Sequence, residues 1–102
     1  MSPIIIDLKV PANHPALPGH FPGQPVVPGV VLLALVHDHA RRQLGFPGGA
    51  SQWRRIKFLR PVGPEQAFRL HLDGGAEKFS FRLESGQGDI IARGQCRHAA
   101  MA

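Results

Sequence analysis

GHFPGQPVVPGVVLL, residues 19 to 33, carries a histidine through a proline- and glycine-rich loop straight into an apolar run. Pro28 fits the first turn of a helix, where its missing N–H removes no hydrogen bond, and Gly45 and Pro47 supply the stop. The spacing therefore predicts a helix over 28–44, about 25 Å long at ~1.5 Å per residue. Between Pro11 and Pro25 five prolines (11, 15, 18, 22 and 25) and two glycines exclude helix and regular sheet. The loop is read as irregular but stiff, able to hold His20 in place. The helix is apolar on all sides from Val30 through Val36 and polar from His37 onward, so its first half must be surrounded.

The rest of the chain offers the surroundings. Ile4, Ile6, Leu8 and Val10 alternate with Ile5, Asp7 and Lys9, the two-residue period of a strand with one buried face. Four more alternating segments follow: one around Ile56 and Phe58, one through Phe68, Leu70 and Leu72, one through Phe79, Phe81 and Leu83, and one through Ile90, Ala92, Gly94 and Cys96. Short turns at Gly74-Gly75 and Gly86 favour antiparallel neighbours. The expected fold is α+β, an antiparallel sheet of about five strands wrapped around one central helix, in a single domain over 1–102. A chain of 102 residues buries a modest core, so a partner subunit is a natural source of added stability.

Composition narrows the function. Twelve Lys+Arg against seven Asp+Glu give a net charge of +5, and eleven of the twelve basic residues lie beyond Val36. That balance favours an acidic partner. Cys96 is the sole cysteine, so neither an internal disulfide nor a cysteine-rich zinc site can form, which suits a cytoplasmic location. No signal-peptide pattern opens the chain, and the apolar run Val26 to Val36 is too short to span a bilayer. Nucleophile elbows, phosphate-binding glycine loops and dinucleotide fingerprints are missing. Trp53 is the one good base-stacking candidate, so nucleic acid is not expected as a partner.

The order of elements, together with VPANHPALPGHFPGQPVVPGVVLL at the front and IKFLRPVGPEQAFRL in the second half, resembles the hot-dog fold of the 3-hydroxyacyl-[acyl carrier protein] dehydratases. The nearest branch is the small dehydratase-like proteins of aryl-polyene pigment pathways. The resemblance implies that His20 is a catalytic base and that Pro28-Gly29 opens the helix so that backbone N–H groups meet a thioester carbonyl. It also implies that Phe21, Pro28, Gly29 and Val30 contact substrate. The implied partners are an acyl carrier protein or other acyl thioester and a second hot-dog subunit, in a homodimer or heterodimer. Neither a cofactor nor a metal is called for. The family also places a carboxylate on the central helix, contributed across the dimer; the matching position here is Ala34.

That departure bears on the chemistry. Dehydrating a 3-hydroxyacyl thioester takes a base for the C2 proton, an acid for the departing hydroxyl, and charge stabilisation at the thioester oxygen. A histidine and a helix N-terminus suit the first and third tasks, and alanine cannot perform the second. Asp38 lies one turn on, roughly 6 Å along the axis, and is the candidate replacement acid, with His37 a lesser one. Asp38 equally fits a solvated residue paired with Arg41 or Arg42. His37 and His39, two positions apart, face opposite ways and cannot chelate one ion. His14, His71 and His98 read as surface or loop residues. Three functions stay open: a dehydratase with an atypical acid, a half-catalytic subunit that lends His20 to an intact relative, and an acyl thioesterase.

Overall fold

The computed structural model describes residues 3–14, 26–46 and 51–98. Its elements run β1 (Ile4–Leu8), α1 (Gly29–Leu44), β2 (Ser51–Phe58), β3 (Phe68–Gly74), β4 (Lys78–Ser85) and β5 (Ile90–His98). The strands form one antiparallel sheet in the order β1-β3-β4-β5-β2. β3, β4 and β5 are consecutive neighbours, joined by the turns that the glycines predict. β1 and β2, on either side of α1 in sequence, end up on opposite edges of the sheet, so the chain crosses the whole sheet between them. This is the hot-dog arrangement expected from the sequence.

The core lies between α1 and one face of the sheet. Val31, Leu32, Val36 and Ala40 of the helix are buried with Leu70 and Leu72 of β3, Phe79, Phe81 and Leu83 of β4, and Ile91, Ala92 and Cys96 of β5. Burying a Val, Leu, Ile or Phe side chain contributes about 1.5–3 kcal/mol, so this cluster is the main source of stability within the chain. The helix ends at Gly45, which takes the left-handed conformation (φ 73°) and donates its N–H to the Arg41 carbonyl over 2.9 Å. Arg41 and Arg42 in the last turn complement the negative end of the dipole.

Three features differ from the sequence expectation. The sheet covers only one stripe of α1: Val30 is 75% exposed, Ala34 is exposed, and Leu33 and Leu35 are half-buried. β2 begins at Ser51 and carries a bulge between Arg54 and Lys57, where Arg55 has a φ of 56°. A second bulge, against Leu83 and Glu84, turns Ile91 inward beside Ala92, so Ile91 is buried and not on the outer face. No helix among the described residues is long and apolar enough to cross a membrane.

Candidate active site

The start of α1 is built to expose its backbone. Pro28 precedes the helix with extended dihedrals (φ −60°, ψ 145°) and makes no side-chain cap, and the first turn holds no acidic residue. The N–H groups of Val31 and Leu32 both reach the Pro28 carbonyl, at 3.0 and 3.3 Å. Those of Gly29 and Val30 have no backbone acceptor among the described residues. Two orphan donors at the positive end of a helix dipole can receive an oxygen that carries developing negative charge. Just upstream, the Val27 N–H donates to the Val62 carbonyl at 2.8 Å, fixing the approach to the helix against the segment after β2.

Around these donors runs an apolar groove of about 550 Å³, walled by Val26, Val30, Leu33, Phe58, Leu59 and Val62. The Phe58 ring lies over Gly29 so closely that a Cβ there would come within 2.8 Å of its tip. Gly29 leaves the ring its space and keeps the backbone beneath it open. The exposed Val26, Val30, Phe58 and Leu59 gather here.

A second groove, of about 580 Å³, continues along the helix from Val30 past Ala34 to His37 and Asp38, with Ser51 and Trp53 of β2 opposite. Ala34 gives this groove only a methyl group. Asp38 lines it but is exposed and bonded to Arg42 at 2.9 Å, one turn away. His37 is better held. Its Nε2 is 2.9 Å from the Ser51 hydroxyl, which is 3.3 Å from Nδ1 of His98. Ser51 has one hydroxyl proton to donate, so one ring accepts from it while the other donates to it.

His98 is 6% exposed, buried against the Phe46 ring, and its Nε2 has no partner among the described residues. The sequence reading of His98 as a surface or loop residue is therefore corrected: it ends β5, and its side chain turns into the core. Burial raises the pKa of the neighbouring Cys96 thiol, and a hydrogen bond with Ser51 offsets this in part. The thiol stays neutral and unreactive at ordinary pH.

The stretch leading toward residue 15 is anchored by Glu65. Its carboxylate accepts from the Ala12 N–H at 2.9 Å and pairs with Lys9 at 3.4 Å, while its own N–H donates to the Val10 carbonyl at 2.7 Å. The Ala12 hydrogen bond, followed by Lys9, holds the Glu65 carboxyl below the usual range.

Comparison with known proteins identifies this scaffold. A family model described as ApeI-like, ApeI dehydratase, matches residues 1–95. The 3-hydroxyacyl-[acyl-carrier-protein] dehydratase FabZ of Thermomicrobium roseum is 32% identical over 108 aligned positions, covering 91% of this chain and 70% of the relative. The chain belongs to the ApeI-like dehydratase family.

Across four further FabZ relatives this ApeI-like chain spans 44% to 61% of their length. The fold superposes on a chain of the dehydratase heterocomplex ApeI:P from Xenorhabdus doucetiae with a TM-score of 0.83. That match is 24% identical and covers 96% of this chain and 88% of the other. A 1,4-dihydroxy-2-naphthoyl-CoA thioesterase from Synechocystis also superposes, with a TM-score of 0.65 and 16% identity over 99% of this chain and 83% of that one. Likeness at these identities is one of fold.

Of the residues singled out in this ApeI-like sequence, Pro28, Gly29 and Val30 meet at the helix-start groove, and Asp38 lies along the second groove. His20 and Phe21 lie outside the described residues. Sequence reasoning missed the wall formed by Phe58 and Leu59 and the His37–Ser51–His98 line. The first had a signal in the apolar pair just before Pro61. The second had none, since its members are up to 61 positions apart and meet only through the β2–β5 pairing.

Proposed function

We propose that this chain is an acyl-thioester-binding dehydratase subunit acting on 3-hydroxyacyl groups, with an acyl carrier protein as the carrier. The single observation that carries the reading is the uncapped start of α1, whose Gly29 and Val30 amides open onto an apolar groove under Phe58. In this reading the thioester oxygen accepts from those amides, which stabilise the charge that builds on it as the C2 proton leaves. His20 takes that proton, and the acyl chain lies along the apolar walls. The surplus of basic residues suits an acidic carrier.

The acid that protonates the departing hydroxyl comes from a partner. Ala34 supplies no proton, and Asp38 is engaged by Arg42 at the solvent edge. A heterodimer with an intact dehydratase then holds one working site, made of this chain's His20 and the partner's carboxylate. The complementary site, which contains Ala34, is dead. The heterocomplex named for the Xenorhabdus doucetiae relative supports this arrangement by analogy.

The test is an assay of 3-hydroxyacyl-carrier substrates with the purified chain and with the chain co-expressed beside an intact FabZ-type dehydratase. Little turnover is expected from the chain alone, whereas the mixed dimer should lose its His20-dependent site on His20→Ala. Failure of the two chains to associate would sink the heterodimer. A second reading, a self-sufficient dehydratase, is favoured by the position of His37 and Asp38 on one groove. It requires turnover by the chain alone that falls with His37→Gln or Asp38→Asn. Release of free acid in place of enoyl thioester would instead identify a thioesterase.

A further inference from the structure

The outer face of the sheet, turned away from α1, carries a row of basic residues in direct register. His71 of β3 is paired with Arg82 of β4, Arg82 with Arg93 of β5, and Arg93 with Lys57 of β2. Arg82 donates to His71 Nδ1 over 3.2 Å, but at about 4.8 Å between strands Arg82, Arg93 and Lys57 stand opposite one another as like charges, an arrangement that opposes folding. Glu84 relieves one end of the row, lying 3.4 Å from Arg82 and 3.6 Å from His71. Lys57, Arg93 and the nearby Arg55 have no carboxylate partner among the described residues.

Arg55 reaches this face because of the β2 bulge, which holds its backbone in the left-handed region (φ 56°) and turns two consecutive arginines, Arg54 and Arg55, to the same side. A non-glycine residue kept in that region is strained. Arg55, Lys57, Arg82 and Arg93 line one recess of about 620 Å³, with Asp73 as its single carboxylate.

We infer that this recess is a binding site for an oligophosphate, an anion of two or more linked phosphate groups. Repulsion within the row is relieved when such an anion is bound. Guanidinium forks match phosphate oxygens two at a time, and the recess has the volume of a small-molecule site. Its convergent, concave lining favours a compact anion over the flat surface of an acidic protein. The inference is independent of the thioester reading, because the recess and the helix-start groove lie on opposite faces of the sheet.

The experiment measures thermal stability and titration calorimetry of the full chain with tripolyphosphate, at constant ionic strength. Binding is expected, with tripolyphosphate held at least tenfold more tightly than inorganic phosphate. Arg93→Gln and Arg55→Gly should each weaken tripolyphosphate at least tenfold while raising the melting temperature in phosphate-free buffer. Adenosine triphosphate should bind like tripolyphosphate if the phosphate chain alone is recognised, and more tightly if a nucleoside adds contacts; both results support the site. Stabilisation no greater than that given by matched sodium chloride, or equal affinity in both variants, would overturn it. So would tighter binding of a glutamate-rich peptide that competes with tripolyphosphate.

Discussion

The two ends of α1 are finished in opposite ways. The C-terminal end has a left-handed glycine that returns a hydrogen bond to Arg41, two arginines facing the dipole, and an ion pair between Asp38 and Arg42. The N-terminal end has no side-chain cap, no acid, two amides without an acceptor among the described residues, and a three-quarters-exposed valine. An uncapped start leaves about 0.5–2 kcal/mol of stability unrealised. On the proposed function, the contrast teaches that the chain stabilises its helix where nothing has to bind and withholds the same device where a ligand oxygen is to be received.

The sharpest way to break this contrast is at Gly29. Gly29→Val puts a branched side chain where even a Cβ meets Phe58 at 2.8 Å, so it blocks the amides or displaces the ring. Turnover at the site to which this helix start belongs should fall about 10²-fold, the effect of removing one oxyanion donor, with the fold retained by circular dichroism. Unchanged kinetics would mean that the open amides are not the binding element.

Next comes Ser51→Ala, which strands ring nitrogens of His37 and the buried His98 together. Leaving a buried polar group unsatisfied costs about 1–3 kcal/mol, measurable by urea denaturation. At the finished end, Gly45→Ala forces a Cβ into φ 73° and should cost about 1–2 kcal/mol without changing thioester affinity. If affinity changed as well, the two ends would be coupled and the division of labour would fail. Asp38→Asn removes only an exposed i,i+4 pair, worth about 0.3–0.5 kcal/mol, and on the heterodimer reading leaves the working site's turnover intact.

The smallest effect is the pH response of Glu65. Its folded pKa lies below the ordinary glutamate value of 4.5, so its stabilisation is fully present above that value and is lost as pH falls through the lower folded one. Melting temperatures of the native chain and of Glu65→Gln should therefore converge toward acid and separate above the ordinary glutamate range. Parallel curves would show that the Ala12 and Lys9 contacts do not hold in solution.

Much of this was legible in the chain itself. Alternating residues from Ile4 to Val10 and from Phe68 to Leu83 marked strands because each buries one face, and Pro28 and Gly45 bracketed the helix within one residue. What was hidden follows from two physical causes. Bulges break the two-residue period, so the inward turn of Ile91 and the start of β2 at Ser51 left no regular trace. The all-round apolar first half of α1 was expected to be surrounded, but this chain's sheet covers one stripe only. Likewise, the setting of His98 required the β2–β5 pairing.

The bulge at Arg55 has a consequence for how the two faces of the sheet can vary. Trp53 and Ile56 both point toward the helix across two intervening arginines, so β2 holds one residue more than its partner needs. A three-nucleotide deletion that removed Arg55 would restore plain alternation and leave Trp53, Ile56 and Phe58 in phase on the inner face. The outer face would lose one cation. An in-frame loss or gain at this one codon would thus retune the charged side of the sheet while the groove over Gly29 keeps its shape.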